Sequence, residues 1–138
     1  SDQALHELKE KCHRAAWNAS NGQAKFTQKK CTLLLTGYAC HYQDMYGGGR
    51  WELVLSTSDI LRGIAHFETE DCSNIPLSIS NIIGSYNLNH NVYEFYDCKK
   101  ALSLKLYKNN RVDIKFSTES YARQFISEYL DDICLGGD

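Results

Sequence analysis

The sequence predicts a single α+β domain, and three observations carry that prediction. A helical apolar spacing occupies each end of the chain, a succession of short β-prone runs lies between them, and no internal repeat, low-complexity tract or linker divides the 138 residues. A chain of that length buries roughly two-thirds of its unfolded surface around one core.

The elements follow in order. Over residues 3–17, Leu5, Leu8, Cys12 and Ala15/Ala16 recur at i, i+3, i+7 and i+10/11 with Lys, Glu and Arg between them, the spacing of an amphipathic helix. The polar stretch 18–25 breaks it, with Gly22 as the turn. Residues 26–42 are β-prone; within them 32–38 reads as a strand, with Gly37 as a bulge. Residues 44–49 are a loop by composition, and 50–56 starts the next strand, making a hairpin with a flexible tip. Further strands are expected at 61–67, 75–79, 92–96, 101–107 and 111–116, the last two joined by the turn Lys108-Asn109-Asn110. After Phe116 the apolar period lengthens. Ser117 or Thr118 caps a helix whose apolar face is Tyr121, Ala122, Phe125, Ile126, Tyr129, Leu130 and Ile133, and Gly136-Gly137 stop it. Residues 1–25 are read as an N-terminal helical extension and 26–138 as the domain proper.

Fifteen basic against seventeen acidic residues leave a net charge of −2, so an anionic ligand has to be met by a local patch and no nucleic-acid partner is expected. No apolar run reaches the ~20 residues that span a bilayer, and Ser1-Asp2-Gln3 does not read as a signal or transit peptide. The run Gly47-Gly48-Gly49-Arg50-Trp51 is not a phosphate-binding P-loop, because Lys-Ser/Thr does not follow. Nor is it a dinucleotide fingerprint, because a strand follows where a helix is required. The glycines read as a mobile hairpin tip. His6, His13, His41, His66 and His90 have no metal spacing, no cysteine has a partner two to four residues away, and no G-x-S-x-G motif is present. Glu68, Glu70 and Asp71 read as a solvated loop. No enzyme activity, cofactor or metal is expected.

Basic residues are the more suggestive set. Lys29 and Lys30 precede the first strand, Arg50 opens the second, and Lys108 and Arg111 flank the late turn. If the open ends of the two hairpins lie side by side, Arg50, Lys108 and Arg111 converge on an anion beside Met45 and Tyr46, which dip into a membrane interface.

The succession RWELVL, ILRGIAHFE, IPLSIS, VYEFYD, ALSLKLY, RVDIKF and STESYARQFISEYL resembles the pleckstrin-homology (PH) domain family over about residues 28–134. Arg50-Trp51 match the basic–aromatic opening of that family's second strand, Ile75-Pro76-Leu77 its fourth strand, and Phe125 the central aromatic of its C-terminal helix. The resemblance implies a seven-stranded, strongly bent antiparallel sheet or barrel capped by that helix, with the N-terminal helix added. It further implies cytoplasmic, peripheral attachment to membranes through anionic headgroups, phosphatidic acid or a phosphoinositide. Arg50, Lys108, Arg111, Lys29, Lys30 and His41 are the lipid-binding residues expected on that basis, and Met45 and Tyr46 the membrane-inserting ones. Of the strong-binding pattern only Arg50 is kept, since Gly48 stands at the middle basic position and His41 or Gln43 near the earlier lysine. That favours a less selective anionic lipid and a second membrane signal, as in acylated PH-domain proteins of apicomplexan parasites.

Two alternatives accompany this reading. One is a protein-interaction module on the same scaffold, docking a partner through the N-terminal helix. The other is a secreted, disulfide-stapled binding protein of lipocalin-like or cystatin-like kind, in which Gly49-Arg50-Trp51 imitates a lipocalin G-x-W and Asn18-Ala19-Ser20 is a glycosylation sequon. The scattered cysteines 12, 31, 40, 72, 98 and 134 favour reduced thiols. A thiol reagent applied to the denatured, unreduced protein is expected to count six free thiols, and a count of two or fewer would restore the disulfide framework.

Overall fold

The computed structural model describes residues 1–131, an α+β arrangement of four helices and seven strands in two antiparallel sheets. Ile133, Gly136-Gly137 and Cys134 lie outside the described residues. Helix α1 (Asp2–Ala16) begins under the Ser1 hydroxyl, which accepts from the Ala4 amide at 3.2 Å, and it buries Cys12, Ala15 and Ala16 as its spacing predicts. The Leu130 carbonyl accepts from Trp17 Nε1 at 2.7 Å and lies 3.1 Å from His13 Nδ1, tying the end of α1 to the end of the last described helix.

The β-prone run 26–42 divides where Lys30 takes a left-handed backbone (φ 55°), giving β1 (Phe26–Lys29) and β2 (Thr32–Leu35) as a hairpin of their own. Gly37 is not a bulge. It follows β2 and leaves room for the Lys25 side chain, which a Cβ there would meet at 2.7 Å. β3 (Cys40–Met45) and β4 (Gly48–Leu53) form the expected hairpin, separate from the main sheet. Its tip is Tyr46-Gly47, and Gly47 and Gly48 take the positive φ values (90° and 126°) that favour glycine.

Two expected strands are helical. Residues 61–67 belong to α2 (Leu55–Thr69), and 75–79 runs into the short helix α3 (Leu77–Ser80). In α2 the side chains of Ile60, Ile64 and Phe67 recur at i, i+4 and i+7, with Leu61 and Ala65 beside them. All five are buried, so the helical period prevails over the β preference of the isoleucines. In α3 the Asp97 carboxylate accepts from both the Ser78 hydroxyl and the Ser78 amide, while Ile79 is fully buried.

β5 (Val92–Glu94), β6 (Ala101–Leu106) and β7 (Val112–Phe116) fall where expected, and Asn110 supplies the left-handed residue (φ 76°) of the turn between the last two. They join β1 and β2 in a five-stranded sheet of order β1-β2-β7-β6-β5. Helix α4 (Glu119–Phe125), capped by Thr118 at 3.0 Å from the Tyr121 amide, runs on as a π-helical turn through Leu130. Seven strands are thus present, but divided five and two. Alternation separates the faces of the large sheet. Leu33, Leu35, Leu104, Leu106, Val112, Ile114 and Phe116 are buried under the helices, while Thr32, Leu34, Ser103, Lys105, Asp113 and Lys115 stand on the open face.

Glu68, expected in a solvated loop, joins helix to sheet. It lies on α2, and its carboxylate accepts from the amides of Lys99, Lys100 and Ala101 at 2.9, 2.7 and 2.7 Å, fixing the start of β6. Lys100 Nζ turns back to donate to the Phe67 carbonyl at 2.8 Å and stands 4.3 Å from the Phe67 ring. On the other side of α2, a Cβ at Gly63 would lie 2.6 Å from Cys12 Sγ. Urea denaturation is therefore expected to show Glu68→Ala destabilised by roughly 2–3 kcal/mol, since it orphans three amides. Gly63→Ala is expected to lose about 1–3 kcal/mol through overpacking. Glu70→Ala, at an exposed helix end, should stay within about 0.5 kcal/mol of the parent.

Candidate functional site

The base of the β3–β4 hairpin is fastened to the turn between β6 and β7. Trp51 Nε1 donates to the Tyr107 carbonyl at 3.1 Å, the Ala39 amide to the Asn110 carbonyl at 2.8 Å, and Cys40 Sγ lies 3.6 Å from the carbonyls of Tyr107 and Arg111. The two hairpins therefore lie side by side, the condition on which the expected basic site depends. Trp51 and Tyr42 are register partners on one face of the hairpin with ring centroids 4.8 Å apart, and Gly49 leaves room for the Tyr42 ring, into which any Cβ there would run. Lys108 Nζ stands 5.1 Å from the centroid of Tyr42. The hairpin continues three to four residues, roughly 10 Å, beyond that point. At its tip Met45 is half-exposed and Tyr46 fully exposed.

The expected cations do not all assemble. Arg50 pairs with Gln43, one step along from Trp51 and Tyr42, so it leaves the opposite face of the hairpin from Lys108 and donates to its neighbour's carbonyl, Gly49, at 3.0 Å. His41 shares that face and lies 3.0 Å from the Tyr38 hydroxyl. Arg111 is bound to Asp113 (Nε–Oδ1 2.9 Å) with its guanidinium 4.0 Å over the Tyr107 ring, and the Tyr107 hydroxyl donates to the same carboxylate at 3.0 Å. Its charge is largely matched already. Lys29 and Lys30 sit at the other end of the sheet: Thr32 faces both Lys29 and Lys115, whereas Leu35 faces Val112 next to the late turn. Four residues along a strand, roughly 13 Å, separate them from Lys108. Lys108 thus flanks one face of the hairpin, Arg50 and His41 the other, Arg111 is held by Asp113 and Tyr107 of the neighbouring sheet, and Lys29 and Lys30 join none of them. Tyr42, Trp51 and Tyr107, which organise the junction, were legible only through cross-strand register.

A second group of titratable side chains lies between α1, α2 and the C-terminal helix. His66 Nδ1 is 2.6 Å from the Tyr129 hydroxyl, beside a cleft of about 450 Å³ that Lys9, Glu70, Lys100 and Glu128 also line. Lys9 Nζ covers one side of the Tyr129 ring at 5.1 Å, and Phe125 stacks on it with centroids 4.9 Å apart. Burial, and then the charge of Lys9, push the His66 pKa down, and burial raises that of the Tyr129 hydroxyl. Burial, with Glu68 and Asp97 adding to it, pushes the Cys98 thiol up to about 12, so it stays protonated at neutral pH. Among the described residues no three His, Cys, Asp or Glu side chains are grouped to hold a metal ion, and no helix is long and apolar enough to cross a membrane.

No family model, curated protein or solved structure matches this chain.

Because His66 holds its proton less well folded than unfolded, its contribution to stability is fully present above the ordinary histidine value of 6.5. That contribution fades as the pH falls toward its lowered folded value. Thermal unfolding across the acid side of neutrality is expected to show stability rising with pH in that window, with a visibly flatter slope in His66→Gln. An unchanged slope would remove His66 as its source.

Proposed function

We propose that the chain is a non-enzymatic binding module that attaches reversibly to an anionic membrane surface, in the cytoplasm, through the tip of the β3–β4 hairpin. The observation that carries this reading is the placement of a fully exposed Tyr46 and a half-exposed Met45 at the end of a projecting hairpin, with Lys108 and Arg50 on its two flanks. An aromatic and a thioether at a tip seat in the headgroup boundary, and each flanking cation adds about 1 kcal/mol against acidic lipid such as phosphatidic acid or a phosphoinositide. The PH-like character of the module belongs to the same proposal. It is supported by the capped C-terminal helix with Phe125 buried against Phe116 and by basic residues beside two adjacent hairpins. It differs from that pattern in having helices at 55–69 and 77–80 where the pattern has strands.

A protein-interaction reading has its own observation in the open face of the five-stranded sheet, where Lys29, Lys105 and Lys115 stand uncovered around Leu34. The buried stripe of α1 is taken up by α2, which moves that reading from the helix to the sheet.

Co-sedimentation with vesicles containing phosphatidic acid is the test. Tyr46→Ala and Lys108→Glu are each expected to weaken binding about fivefold, and together by more than about twentyfold, at near-physiological salt. Unchanged binding in the double variant would sink the hairpin site; no binding by the parent chain would shift the function to the sheet face.

A further inference from the structure

Away from the hairpin, charge is unevenly distributed in a cleft of about 350 Å³ between α1 and α2. Helix α1 supplies Lys11 and Arg14, one turn apart and so on the same side, and α2 supplies Arg62. The only carboxylate lining the cleft among the described residues is Asp59, which Arg62 already approaches at 3.6 Å. Three cations against one carboxylate leave a local excess of two positive charges on a chain whose net charge is −2.

The two helices meet closely beside that charge. Gly63 lets α1 close onto α2 at Cys12, and Cys12 Sγ donates to the Asp59 carbonyl at 3.3 Å, one turn from Arg62. The cleft is also apolar on one wall: Ala15 is buried and Leu55, a large apolar residue, is 82% exposed. A carboxylate ligand would cancel half of the excess. A phosphate monoester, with a charge near −2 at neutral pH and three acceptor oxygens, matches all of it and offers an acceptor to each cation.

We propose that the α1–α2 cleft binds a phosphate monoester bearing an apolar arm, with Lys11, Arg14 and Arg62 around the phosphate and the arm against Leu55 and Ala15. The site is independent of the hairpin tip and of what that tip touches. Its ligand is either a soluble phosphate ester or the headgroup of a monoester lipid, two sources of one chemistry.

The test is titration of the isotopically labelled full chain with phenyl phosphate, followed by amide NMR, with benzoate and matched sodium chloride as comparisons. Saturable shifts are expected at residues 11–15 and 55–62, with benzoate about tenfold weaker and chloride without effect. Lys11→Glu/Arg14→Glu is expected to weaken phenyl phosphate at least about tenfold, whereas Lys29→Glu/Lys115→Glu, the same change in net charge on the sheet, leaves it unaltered. Equal shifts with chloride, or equal weakening in both double variants, would overturn the site. Phosphatidic acid vesicles then identify the source. Binding that survives Tyr46→Ala but is lost in Lys11→Glu/Arg14→Glu assigns the lipid, and vesicle binding indifferent to Lys11→Glu/Arg14→Glu, with phenyl phosphate still bound by the parent chain, assigns the soluble ester.

Discussion

The close crossing of α1 and α2 at Gly63 is the constraint from which the rest of the structure follows. Without a side chain at that position α2 can be buried against α1 while Phe67, one turn further along the same face, meets Phe116, Tyr121, Phe125 and Tyr129. Next to Phe67, Glu68 takes hold of the three amides that start β6. β6 and β7 are thereby set at a fixed height against the helices, and the turn between them carries the carbonyls that Trp51, Ala39 and Cys40 engage. The orientation of the exposed hairpin thus traces back, through one carboxylate and one turn between interior strands, to a missing methyl group in a helix.

The terminal helices were legible because their apolar periods are unambiguous and, for the last one, because Thr118 stands where a capping hydroxyl is needed. The β6–β7 hairpin was legible for a related reason, a clean alternation around an Asn-Asn turn. What misled at 61–67 was composition: isoleucines and a phenylalanine suit a pleated surface, and a helix buried on several sides does not display the polar face by which an amphipathic one is recognised. Pro76 at 75–79 similarly allowed an extended reading, whereas it stands as the N-cap of a single helical turn. Glu68 was unreadable in principle, since its three partners lie more than thirty residues away.

For the candidate site, the adjacency of the hairpins entered only as a condition, and the division of cations between faces was not anticipated. Face assignment depends on register, and a one-residue change in where β3 begins exchanges the sides of Tyr42 and Arg50. Arg111 shows a second limit: two residues from Asp113 on a strand, it neutralises a neighbour of the same face instead of facing outward alone. Charges that look equivalent along the chain are divided by the fold into matched and unmatched ones.

The Leu130 carbonyl, which accepts from Trp17 and lies beside His13, has a kinetic consequence. These contacts close loops of 113 and 117 residues, whereas the hairpins β3–β4 and β6–β7 close over a handful. Loop entropy opposes these two long closures until the intervening sheet and α2 have drawn the ends together. A local opening of that tie would free the end of α1 while the hairpin, held by the late turn, kept its place.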